Sequence, residues 1–145
     1  MNKYAFLILL FFQSCNQKSV IPISNTLEIA LGDDLGVYVN TLNKAWNNDT
    51  TAMYEFLKTD WVSDAAAYNH AFNVWELIES KKDSQVVMVL KRLNEKQLRD
   101  VRQLIEVVVD QSGDEVEEKL IKDYPMAVAQ LKYNLHTNST KFPQK

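Results

Sequence analysis

With 145 residues, 46% of them hydrophobic and 24% charged, the chain falls in the range of one globular domain and outside that of disordered segments. Three glycines, two histidines and a single cysteine leave it without the parts for a phosphate-cradling loop, a cysteine or paired-histidine zinc site, or a serine nucleophile on a glycine-flanked elbow. A net charge of −3 argues against the clustered basic footprint that binds a nucleic-acid backbone, so nucleic acid, metal and cofactor are not expected.

The chain opens with one positive charge, Lys3, followed by an apolar run from Tyr4 to Phe12, which is the plan of an export signal over residues 1–14. That run is far shorter than the roughly 20 residues a membrane-crossing helix needs. It ends at Phe12-Gln13-Ser14-Cys15, with a small residue directly before the only cysteine. The apolar run, Ser14 and Cys15 together resemble the lipobox of bacterial lipoproteins, a resemblance that covers the first 15 residues and does not extend to the domain. It implies cleavage before Cys15 and acylation of that residue at its thiol and new amino terminus. Several acyl chains then give the stable membrane anchoring that a single chain cannot. In the same family an aspartate after the cysteine favours the inner membrane. Asn16 stands there instead, and Asn16–Ser19 carry no acidic run, so the resemblance implies the outer membrane of a bacterial envelope with the domain facing the periplasm. A lone cysteine in an exported chain also has no disulfide partner.

Residues 15–24 lack periodicity and contain Pro22, so they read as a lipidated tether. From Thr26 onward apolar residues recur at three and four, which predicts an all-α domain over residues 25–137, a single bundle of five to seven helices, with a flexible tail over 138–145. Asp33 or Asp34 is placed to cap a helix whose core stripe is Leu35, Tyr38, Val39, Leu42, Ala45 and Trp46. Asn47 to Thr51 punctuate it. A short helix with Met53, Phe56 and Leu57 follows, and Ser63 is placed to cap the next.

That next helix, about Asp64 to Ser80, is the most informative. At 100° per residue, Ala67, His70, Ala71, Val74, Leu77 and Ile78 share an arc that Tyr68, Phe72 and Trp75 extend, leaving Asn69, Asn73, Glu76 and Ser80 as a polar wedge. So wide an apolar arc predicts a central element touching neighbours on two sides. Residues 85–93 fit either a short helix or a strand, given their valines. Asn94 and Gln97 then make a capping box, with Leu93 and Leu98 as its hydrophobic staple, at the start of a helix with core face Leu98, Val101, Leu104, Ile105, Val108 and Val109. Ser112 and Gly113 end it. Asp114 and Glu117 form a second box, and Pro125 opens a last helix with Val128, Leu131 and Leu135 inward.

No catalytic constellation stands out. His70, on the apolar arc beside Tyr68 and Trp75, is either a buried histidine with a structural partner or a ligand contact, and Asn69 and Asn73 flank it as possible donors. These five form the candidate binding set. The acids from Glu106 to Glu118 lack the spacing of a calcium loop and suit the start of a helix. Carboxylate pairs such as Asp60 with Asp64 have the groups for glycoside hydrolysis, but acids four apart across a helix start are common for other reasons. Exposed aromatics among Trp46, Trp61, Trp75 and the tyrosines would mark a protein-binding patch. The composition thus points to binding rather than turnover. A protein partner is the leading expectation, as for an envelope accessory subunit or an immunity-type protein. A small-ligand binder or carboxylate-dependent hydrolase with a cleft near Tyr68, His70 and Trp75 is the alternative.

Overall fold

The three-and-four apolar rhythm becomes eight α-helices and one 3-10 turn across the residues that the computed structural model describes, 18–60, 62 and 64–133. In chain order they are α1 (Asn25–Leu31), the 3-10 turn Gly32–Asp34, α2 (Leu35–Trp46), α3 (Thr50–Leu57), α4 (Asp64–Glu79), α5 (Asp83–Leu90), α6 (Glu95–Ser112), α7 (Asp114–Asp123) and α8 (Pro125–Leu131). Among the described residues there is no strand, and none of these helices is long and apolar enough to cross a membrane. The all-α bundle is as expected. The segment open to either reading is helical as α5, and α1 is an element the periodicity had not separated.

The core lies around α4, which packs against α6, α1 and α2. Val74, Leu77 and Ile78 of α4 and Val101, Ile105 and Val108 of α6 are fully buried. Each such side chain contributes about 1.5–3 kcal/mol through removal from water. The apolar arc of α4 is narrower than expected on one edge, because Tyr68 and Phe72 are 52% and 37% exposed. It is wider on the other edge: Asn73, placed in the polar wedge by its type, is buried because its amide has a partner inside.

Local capping explains most helix starts. Ser24 Oγ accepts from Leu27 N at 3.1 Å to begin α1, and one Asp49 carboxylate oxygen accepts from Thr51 N and Ala52 N, both at 2.9 Å, to begin α3. At α6 the reciprocal box forms as expected: Asn94 Oδ1 accepts from Gln97 N, and Gln97 Oε1 accepts from Asn94 N. Two expected caps do not form. The chain enters α2 through the 3-10 turn, so neither Asp33 nor Asp34 caps it with a side chain. At α7 the cap is Gly113 itself, whose φ of 82° lies in the left-handed region that favours glycine. It ends α6 and starts α7 in one residue, and Asp114 is already inside the helix. The expected cap role of Ser63 lies outside the described residues, as do Cys15, Leu135 and the tail.

Residues 18–24, expected within the tether, lie on the domain from Lys18 onward. The buried amide of Asn43 donates to the Lys18 carbonyl and accepts from Val20 N, both at 2.9 Å, and Ile21 is buried. A buried side-chain amide needs both kinds of partner, and this segment supplies them.

A cleft between α4 and α6

His70 sits on the inner face of α4, 1% exposed, in a cluster of rings with Tyr38 of α2 and Phe56 of α3. Tyr38 Oη lies 2.8 Å from His70 Nδ1, and Asn73, three residues further along α4, donates its amide to the same oxygen at 3.0 Å. The Asn73 Nδ2 group can only donate, so the Tyr38 oxygen accepts there, while the direction of its bond with Nδ1 follows the imidazole tautomer. Burial holds the imidazole down to a pKa of about 4, against the smaller opposing pull of the Thr59 backbone, and lifts the Tyr38 phenol above its ordinary value. At neutral pH His70 is therefore an uncharged imidazole.

The Nε2 atom of His70 is closed off from solvent, and the Thr59 backbone hydrogen-bonds the ring. The Nδ1 edge of the ring faces Tyr38, and His70 is among the residues that line a cleft of about 320 Å³. Val62, Ala67, Leu104 and Val107 give the cleft apolar walls, and Tyr68 stands at its exposed rim. Lys96 at the mouth reaches Asp100 Oδ2 at 2.9 Å and Asp60 Oδ2 at 3.3 Å. These carboxylates raise the pKa of the ammonium, the Asp100 hydrogen bond most. A second cleft of about 260 Å³ lies on the Tyr38 side and shares Thr59 and Asp60 with the first. The tyrosine–histidine pair thus separates two surface clefts.

Of the five candidate residues, the structure brings Tyr68 and His70 to the cleft. Asn73 supports it through Tyr38. Asn69 turns its amide back to the Ala65 carbonyl of its own helix. Trp75, expected beside the cleft, is buried instead, its ring 6.2 Å from that of Tyr124 in an edge-to-face pair. Asp60 pairs with Lys96 across the cleft rather than with Asp64. The residues not anticipated are those of α6, Lys96, Asp100, Gln103, Leu104 and Val107. Their one local signal is the four-residue spacing of Lys96 and Asp100. Among the described residues no group of three or more metal-ligating side chains converges. The chain matches no family model, no curated protein and no solved structure.

Proposed function

We propose that this protein is a lipid-anchored, periplasm-facing binding module, held by acyl chains on Cys15 and engaging a protein partner through the exposed edge of α4. The observation that carries the reading is the pair Tyr68 and Phe72. The two aromatics lie one helical turn apart on the helix that packs most against the core, both are exposed, and Tyr68 lines a cleft. Exposed aromatics at the rim of a concave site are the usual anchors of recognition, because they bring large apolar area at low entropic cost. The test is a photo-reactive phenylalanine analogue in place of Tyr68, in the protein expressed in its own host. Irradiation is expected to yield one dominant adduct with an envelope protein, missing when the analogue replaces the equally exposed Met88 of α5. Equal or absent adducts at the two positions would refute the partner surface. The anchor is tested separately: Cys15→Ser is expected to move the protein out of the membrane fraction, and unchanged fractionation would refute lipidation.

A second reading, a small-molecule site in the cleft itself, is favoured by a different observation, the apolar walls Val62, Ala67, Leu104 and Val107 beside the charged group of Asp60, Lys96 and Asp100.

A further inference from the structure

We infer that the exposed ridge of α4 docks a basic amphipathic helix of a protein partner, its apolar face covering Tyr68 and Phe72 and its lysine or arginine side chains meeting Asp64 and Glu76. The inference rests on the protein-partner reading of this edge and adds the chemistry of the partner. Three features set that chemistry. First, the apolar patch is particular to this helix. Among the described residues α1, α2, α5, α7 and α8 each expose a single large apolar side chain, whereas α4 exposes two, one turn apart. Apolar side chains scattered singly are ordinary on a protein surface, and two aromatics in a row offer a joined contact area. Tyr68 also lines the cleft, where Ala67, Leu104 and Val107 offer apolar walls to one side chain of the partner.

Second, the charges that bracket the pair have one sign. Asp64, Tyr68, Phe72 and Glu76 follow one another at four-residue spacing, all exposed, and α4 contains no lysine or arginine. Lys119 engages Glu79 at 3.7 Å, whereas Asp64 and Glu76 have no ion-pair partner among the described residues. Glu76 stands toward the C-terminal end of α4, where the helix dipole disfavours an acid, so its charge meets no local need. A second copy of this chain would bring the same acids to the same row and oppose like charges, whereas a partner with basic residues on both sides of an apolar stretch complements the row at each position. Third, the partner is helical. Among the described residues there is no strand, and hence no sheet edge for an extended segment to join. A helix satisfies its own backbone groups, and a row at four-residue spacing is the ridge that packs into the groove of a second helix. At about 1.5 Å per residue the two acids stand about 18 Å apart along the axis, which places the basic residues of the partner helix about twelve positions apart.

The test uses the full chain in a neutral detergent and three fluorescent helical peptides built mainly of alanine. One carries a leucine stripe between two pairs of lysines at that separation, a twin has glutamate for lysine, and another twin has serine for leucine. Read above the detergent background, the lysine and leucine peptide is expected to bind at least tenfold more tightly than either twin. Asp64→Asn with Glu76→Gln is expected to weaken it at least tenfold, as is Tyr68→Ser with Phe72→Ser. Glu115→Gln with Glu118→Gln, which removes the same charge from exposed positions of α7, is expected to leave it unchanged. The changed side chains are all exposed, and helical circular dichroism checks each variant. Should a variant fold poorly, the ranking of the three peptides on the unmodified chain still decides the matter. Equal binding by either twin, or equal weakening by the α7 pair, would overturn the inference. So would a dimer of the unmodified chain that Tyr68→Ser with Phe72→Ser dissolves, because a second copy would then cover the ridge. If none of the peptides binds, the adduct at Tyr68 in the host separates the two failures: its presence overturns the basic helix and leaves the partner surface standing, and its absence refutes both.

Discussion

Two regions of the bundle use their polar groups differently. At the end formed by α5, α7 and α8, polar side chains join elements that lie far apart in the chain. Lys81 donates to the Trp46 carbonyl at the end of α2 and to Asn48 Oδ1, and burial lowers the pKa of its ammonium. Tyr124 donates to the Lys81 carbonyl, and the Asp83 carboxylate accepts from Met126 N and Ala127 N, both at 2.9 Å. These groups staple helix ends across the fold, where orphan backbone donors and acceptors would otherwise face the interior. At the α4 and α6 end the linked side chains Asn73, Tyr38 and His70 lie inside the fold, and His70 borders a cleft. The first set ties helix ends together, whereas the second holds an uncharged histidine behind a cleft.

The largest effect expected from this contrast is a loss of stability in acid. A histidine in the unfolded chain has a pKa near 6.5, and in the fold His70 is held at about 4. Between those values the unfolded chain binds a proton that the folded one refuses, so stability falls as pH falls, by up to about 3 kcal/mol, and levels off below the folded value. Tyr38 is the titratable group bonded to the ring, and Asp60, Lys96 and Asp100 share its cleft. Urea unfolding of the wild-type chain and of His70→Gln, from pH 7 to 4, isolates the histidine: the extra slope is expected only in the wild type. Equal slopes would place His70 in a solvated setting and erase the contrast.

Next in size is Asp83→Ala, expected to cost about 2 kcal/mol, because the first two free N–H groups of α8 lose a charged acceptor at once. A loss below about 0.5 kcal/mol in urea unfolding would show that the well-connected end is not held by its polar staples. The seven-residue α8 begins with Pro125 and has no side-chain cap of its own, which is why a residue 43 positions away does the capping.

That long reach also marks the limit of what the sequence displayed. The Asn94 and Gln97 box and the stripe Val101, Ile105, Val108 are local patterns, complete within a few turns, and they reappear unchanged in the fold. The caps assigned to Asp34 and Asp114 did not form, because a 3-10 turn and a left-handed glycine redirected the chain just before each helix. On α4 the periodicity placed His70 inward correctly, yet exchanged the fates of Tyr68 and Asn73, since residue type says nothing of a tyrosine hydroxyl waiting on α2. His70 and Tyr68 were visible as candidates. Their counterparts on α6 were not, because Asp60 and Lys96 meet across 36 residues with no pattern joining them.

Tyr38→Phe probes these linked side chains more finely. It removes the hydroxyl that contacts Nδ1 and accepts from Asn73, and the expected cost is about 1–2 kcal/mol. The sharper readout is the tautomer. Loss of the phenol is expected to change the balance of the proton between Nδ1 and Nε2, visible in the ¹⁵N shifts of His70. Unchanged shifts would show that the phenol does not set the tautomer.

The smallest effect belongs to Lys96→Ala, and it separates the two ends most directly. Lys81 and Lys96 both contact two oxygens, but Lys81 is buried against a carbonyl and an amide, whereas Lys96 is 64% exposed at its side chain between two surface carboxylates. Solvent screening leaves such exposed pairs little net effect on stability, so the change in urea unfolding is expected to stay within about 0.5 kcal/mol. The same substitution makes the cleft mouth more negative by one unit while leaving the apolar walls in place. Affinity for an anionic probe should therefore fall and affinity for a neutral one should hold. If Lys96→Ala instead destabilises the fold as strongly as Asp83→Ala, the mouth of the cleft is a structural staple after all, and the difference between the two regions disappears.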